Sequence, residues 1–321
     1  MGLLPGLTAG QIANLLIAAC GLVNWIGARV GRGSQEIGSA LKAVGLVILV
    51  AALILARSKA PPSAALPAFS WVAAAVALRA IYGAYGGWQA AIYFSEEVNA
   101  PERNVARATF IGVATITSLY LLVNAAVLHV LPIAALTRST LAAADAARVV
   151  LGASSDVAVT VLAILCVATL ANIQIMELSR TTYAIARAGY LPSKLATVST
   201  SGTPRAALVI GLLAIALIIA AADSVKGQLY EILLDLYAPF VMIVLLMFSV
   251  AVIRLRRTEP DLPRPWKMPF FPLPALLSVG LNVILPVLFL VSDWKTGICS
   301  TLLLACAVPL YLVGRARWQM F

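Results

Sequence analysis

The sequence is short of the side chains that most chemistry needs. It has one histidine and four cysteines, and Asp, Glu, Lys and Arg together make up 11% of its 321 residues. A single imidazole cannot hold a metal alone. A Ser–His or Cys–His pair would depend on His129, which lies in an apolar run closing at Pro132 with nothing beside it to support catalysis. Cys20, Cys166, Cys299 and Cys306 sit within or near apolar stretches and show no C-x-x-C spacing, which argues against a disulfide or metal framework. No H-E-x-x-H, G-x-S-x-G or phosphate-binding glycine loop is present, so an intramembrane enzyme is disfavoured and no cofactor or metal is expected. Met1 to Ala28 carries no Lys or Arg, so no cleavable signal peptide is expected there.

Apolar residues fill the space the charges leave: 62% of the chain is hydrophobic and the mean hydropathy is +0.97. A soluble fold buries only part of its chain surface and cannot hide so much, and disordered chains are apolar-poor. The solvent for most of this chain is therefore the lipid bilayer. Val44 to Ala56 contains no polar side chain, unlike the alternating strands of a membrane barrel. Nine apolar stretches can be marked: 8–27, 38–56, 67–94, 108–132, 157–178, 206–221, 230–253, 271–291 and 297–313. A spanning helix takes about 20 such residues. The expected fold is an all-α polytopic membrane protein with about nine spans.

The net charge of +10 reads as topology. Sixteen of the 23 basic residues fall in one alternate set of connections, among them Arg29, Arg32, Lys42, Arg103 and Arg107. Basic loops stay on the cytoplasmic side. The expectation is a multi-pass protein of the plasma (inner) membrane, its N-terminus outside and its C-terminus cytoplasmic, with no nucleic-acid partner. Two connections look structured. The stretch 254–272 is proline-dense, and 134–155 has room for one short surface helix.

Residues 80–89 mark the stretch where chemistry is expected. Gly83, Gly86 and Gly87 fall within five residues, beside Tyr82, Tyr85 and Trp88. Glycine weakens a helix, and a broken helix at membrane depth is tolerated only when it is buried in protein or lines a cavity. The alternative is close helix packing through small residues. Arg79, about ten residues into the same span, is either a functional group or half of a structural ion pair with Glu231 or Asp235. Lys42 is either a buried proton carrier or a lysine reaching the surface. Glu96 and Glu97, followed by Arg103 and Arg107, form either a gate or a solvated charged face.

Ala84-Tyr-Gly-Gly-Trp88 with Ser95-Glu-Glu-Val-Asn-Ala-Pro-Glu-Arg-Asn104 resembles the sixth helix and following loop of amino acid permeases of the APC (amino acid–polyamine–organocation) superfamily, closest to the L-type amino acid transporter branch. Asn172, Ser179-Arg180 and Gly189-Tyr-Leu-Pro192 resemble helix eight and its loop. Gly202-Thr-Pro204 resembles the start of helix nine, and Pro260-Asp-Leu-Pro-Arg-Pro265 the loop between helices ten and eleven. Val23-Asn-Trp-Ile-Gly27 and Leu41-Lys42 look like helices four and five.

The resemblance implies a fold of two inverted five-helix repeats, of which this sequence shows helices four to twelve. On that reading helices one to three are missing. Residues 1–66 are the remnant of the first repeat, 67–254 the second repeat, and 255–321 a cytoplasmic loop and a final helix pair. It also implies secondary active transport of a small molecule, an amino acid or related amine, by alternating access, coupled to protons or to exchange. Gly83, Ala84, Tyr85, Gly86, Gly87, Trp88 and Gln89 would line the substrate site, and Lys42 would carry the proton. The family's aromatic gate is absent at Gly83, leaving Tyr82 or Tyr85 for that role. A non-transporting membrane remnant is the competing reading. Oligomeric state is not legible.

Overall fold

The computed structural model describes residues 9–56, 70–139, 141–153, 155–224, 229–264 and 267–292, with six single positions between 298 and 312. In chain order the helices are α1 (Ala9–Ile26), α2 (Ala28–Leu55), α3 (Trp71–Ala84), α4 (Ala90–Tyr93), α5 (Pro101–Val130), α6 (Ile133–Leu136), α7 (Ala142–Leu151), α8 (Ser155–Arg187), α9 (Arg205–Ser224), α10 (Leu229–Thr258) and α11 (Leu273–Ser292). Short 3₁₀ turns occupy Ser95–Glu97 and Ser193–Ala196. No strand occurs among the described residues. The chain is an all-helical, multi-pass membrane protein. Ala28–Leu55, Pro101–Val130 and Ser155–Arg187 are each long and apolar enough to cross a bilayer. Shorter apolar helices run over Gly10–Ile26, Arg205–Ala220 and Leu273–Val287. The expected surface helix between 134 and 155 is α7, preceded by the single turn α6.

The helices run further than the apolar stretches. The second span starts at Ala28, not Gly38, and Gly27 alone separates it from α1. Arg29, Arg32 and Lys42 thus lie on helix. Once an apolar half has nucleated a helix, each further residue adds a hydrogen bond at little cost, and Arg32 pairs with Glu36 one turn on at 3.7 Å. At 1.5 Å per residue the 28 residues of α2 reach about 42 Å, longer than the roughly 30 Å hydrocarbon layer.

The chain divides into two compact units. The first comprises Met1–Ala68, Ala108–Ala184 and Lys194–Ala216. Its core joins Leu49, Val50 and Leu53 of α2 to Ala126, Val127, Val130 and Leu131 at the end of α5 and to Ala146 and Ala147 of α7. His129 Nε2 lies 3.0 Å from the Ala56 carbonyl just past α2. Arg148 bonds Asp156, tying α7 to the head of α8. The face of α2 carrying Val47 and Ile48 is exposed, as expected for a helix dissolved in lipid. A polar seam also crosses this unit. Asn24 Nδ2 donates to Asn172 Oδ1 at 2.8 Å, and Asn172 Nδ2 donates to Gln35 Oε1 at 3.0 Å and to the Gly31 carbonyl at 3.3 Å. Both asparagines are buried, and their amides are satisfied as buried polar groups must be.

The second unit comprises Phe69–Arg107, Ile185–Ser193 and Leu217–Phe321. In it α10 packs along α11, with Ser249 Oγ and Ser278 Oγ 2.7 Å apart. Arg264 closes the C-terminal end of α10. Its guanidinium donates to the carbonyls of Leu255, Glu259, Pro260 and Leu262 at 3.1, 2.6, 3.0 and 2.9 Å, tying the turn that follows back to the last turn of the helix.

Candidate functional site at the broken helix

Between Ala84 and Ala90 the helix stops. Gly86 N–H bonds back three residues to the Gly83 carbonyl at 3.1 Å, and Ala90 N–H to the Gly87 carbonyl at 3.0 Å. Gly87 N–H instead meets the Gln89 side-chain oxygen at 3.2 Å. Gly87 adopts φ +99°, a conformation that side-chain-bearing residues rarely take. A Cβ on Gly83 or Gly87 would meet open space within 4 Å, and one on Gly86 would meet only the Gly83 carbonyl, at 3.2 Å. The tandem glycines thus end α3 and leave an open, main-chain-lined turn. Gly83, Ala84, Gly86, Gly87 and Trp88 are exposed there, and Tyr85 and Gln89 are half-buried. The side chains of Arg79, Tyr82, Glu231 and Asp235 lie outside the described residues, and with them the ion-pair reading of Arg79 and the gate reading of Tyr82.

A cavity of about 200 Å³ lies beside the break within the second unit. Gln89 and Tyr93 line it from one side, and Phe240, Val241, Val244, Leu245 and Phe248 of α10 from the other. Whole-ligand pockets run to about 300–1,000 Å³, so this one has room for part of a ligand. Sequence reasoning missed the α10 residues. Phe240, Val244 and Phe248 share one face at four-residue spacing, but in a lipid-dissolved helix an apolar stripe looks the same whether it faces a cavity or lipid.

Past the break, Glu96 meets Arg187 at the end of α8. Arg187 Nη1 and Nη2 donate to its two oxygens at 3.1 and 2.5 Å, a forked pair. The guanidinium's hydrogen bonds, then its charge, hold the Glu96 carboxyl below its ordinary value near 4.5. Arg187 is aimed by the end of its own helix. Gly189 takes φ +84°, its N–H bonds the Ala186 carbonyl, and Tyr190 N–H bonds the Ile185 carbonyl. That is the two-bond helix stop that glycine makes possible. The stretch Asn99 to Asn104 likewise builds a helix start. Pro101 opens α5, Ala100 before it has φ +47°, and Asn104 Nδ2 donates to the Asn99 carbonyl at 2.6 Å.

Lys42 belongs to the first unit. It is half-buried, and its Nζ reaches Thr169 Oγ1 on α8 at 3.5 Å. Thr169 is itself buried and donates to the Leu165 and Cys166 carbonyls. The lysine amine therefore contacts the neighbouring helix while part of the side chain stays exposed. Among the described residues no three His, Cys, Asp or Glu side chains come together as a metal-binding group.

The family profile described as amino acid permease matches residues 7–311. The chain belongs to the amino acid permease family. Large neutral amino acids transporter small subunit 2 of Mus musculus is 30% identical over 252 residues, which cover 76% of this chain and 45% of the relative. The b(0,+)-type amino acid transporter 1 of Mus musculus is 26% identical over 96% of this chain and 63% of its own length. The methylthioribose transporter of Bacillus subtilis is 27% identical over 86% of this chain and 59% of its own length. The chain spans about half the length of the curated relatives it matches. A broken, glycine-rich helix beside a small apolar cavity is thus a feature of a permease-family chain.

Proposed function

We propose that this chain binds amino acids or related amines at Gly83–Gln89 and carries them across the plasma membrane by alternating access, coupled to protons or to exchange. The observation that carries the reading is the break itself. The C-terminal end of α3 presents the negative end of a helix dipole, which suits a substrate ammonium, and the glycines leave no side chain in its way. Relatives named for amino acid transport support an amino acid as the substrate.

The remaining assignments follow from that one. Lys42 is the proton carrier, because an intramembrane lysine bonded to a buried threonine can exchange a proton without losing its place. Glu96 and Arg187 form a gate, with Glu97 beside it, and Arg79 belongs either to that gating set or to a structural pair. Residues 1–66, 67–254 and 255–321 correspond to the end of one repeat, a second repeat and a final helix pair. The basic connections face the cytoplasm and the first helix begins outside. No bond-making step is part of the reading.

The test is equilibrium binding of a radiolabelled amino acid panel to the purified full chain, beside Gly86→Leu. The added side chain would fill the turn next to the Gly83 carbonyl. Saturable binding weakened about tenfold or more, in a variant that still elutes as one monodisperse species, is the expected result. Binding unchanged by Gly86→Leu removes the break from the site.

A further inference from the structure

The connection after α10 carries more than a topology signal. Arg254, Arg256 and Arg257 follow directly on the apolar run that ends at Ile253, which sets them at the hydrocarbon boundary. From 254 to 271 there are five basic residues against two acidic ones, Glu259 and Asp261. Arg264 is committed to four carbonyls in the last turn of α10 and the turn that follows. Arg254, Arg257 and Lys267 are exposed, and Arg256 lies 4.3 Å over the Phe271 ring.

The neighbouring residue is anomalous. Phe270 is 85% exposed and has φ +56°. A bulky residue with positive φ is a genuine outlier, and such conformations persist where the surroundings favour them. In water nothing offsets an exposed ring on a strained backbone. At a bilayer interface an aromatic ring is in its preferred layer.

We propose that the C-terminal end of α10, together with the connection to α11, is a docking site for anionic phospholipid headgroups of the adjacent leaflet. Arg254 and Arg257, one turn apart on α10, and Arg256 on another side of the same helix end hold phosphodiesters of the surrounding headgroups, and Phe270 inserts at headgroup depth beside them. Charge complementarity identifies the occupant: a net-positive cluster at the depth where lipid phosphates sit. The ring stack restrains the Arg256 guanidinium, whose planar donors match a phosphate's oxygens. Topology needs positive charge in this connection, but it does not need a stacked guanidinium or a phenylalanine ring held outward.

The test uses the purified full chain in neutral detergent and reads its melting midpoint against added phosphatidylglycerol, phosphatidylcholine or free glycerol 3-phosphate. Phosphatidylglycerol alone raises the midpoint. Each arginine near an anionic surface is worth roughly fivefold in affinity. The half-saturating lipid concentration therefore rises about a hundredfold in R254Q/R256Q/R257Q, and Phe270→Ser weakens the response while leaving its preference for anionic lipid. The unmutated chain supplies a check that needs no variant: salt raised from about 0.1 to about 1 M shortens the screening length from about 10 to about 3 Å and suppresses the shift. The proposal is overturned if phosphatidylcholine or free glycerol 3-phosphate works as well, if the triple variant keeps its response, or if salt leaves the shift unchanged.

Discussion

At Gly87 the backbone sits at φ +99° with open space where a Cβ would go. Steric crowding is therefore absent, and the whole penalty of a substitution is conformational. Gly87→Ala should cost about 1–2 kcal/mol, read as a lowered melting midpoint. An unchanged midpoint would mean that the turn relaxes to another conformation. Lys42 makes a second residue-scale test. With its Nζ on Thr169, loss of the amine should flatten the pH dependence of uptake in Lys42→Ala, and a pH profile that survives assigns the lysine to packing alone. These residues were legible because each contradicts its surroundings: adjacent glycines inside an apolar helix, or a lysine in a span. Phe240, Val244 and Phe248 contradict nothing, since a phenylalanine among leucines carries no mark of facing a cavity.

At the scale of elements, the motifs that carry the family resemblance turn out to make helix ends. Asn99 and Pro101 start α5, Gly189 and Tyr190 stop α8, and Arg264 closes α10. Thr203 donates to the Asn24 carbonyl at 3.0 Å just before α9 begins. Helix ends inside a membrane protein need partners for their open backbone groups, which gives these positions their particular residues. The sequence marked these places but misjudged where α2 begins, because polar residues in Arg29 to Gln35 look like a connection when helix continuation is not counted. One of these ends positions the Glu96–Arg187 pair. Reversing one charge, as in Arg187→Glu, should lower uptake severalfold, and the exchange Glu96→Arg with Arg187→Glu should restore most of it. A swap no better than the single change would make the pair incidental. Its pH behaviour has a definite sign. The Glu96 carboxyl is held below its ordinary value, so the pair's contribution is fully present above that value and is lost only as pH falls through the lowered one. Titration between about pH 5 and pH 8 therefore leaves this pair closed, and pH dependence in that window has to come from another group.

At the scale of the whole molecule, composition specified a lipid-dissolved chain, at 62% hydrophobic residues with few charges, and unbroken apolar runs such as Val44 to Ala56 made it helical. Composition does not specify the division into two compact units, which depends on pairings between helices far apart in sequence: Asn24 with Asn172, or Ser249 with Ser278. Such pairings leave no local pattern to read. The central claim is that this chain carries amino acids, and uptake of a radiolabelled amino acid panel into proteoliposomes containing only this chain tests it most directly. The account predicts saturable uptake above empty liposomes, abolished by Gly86→Leu. Accumulation no greater than in empty liposomes for every amino acid, from protein that is folded and inserted, would contradict it and leave a membrane protein of permease ancestry that does not transport.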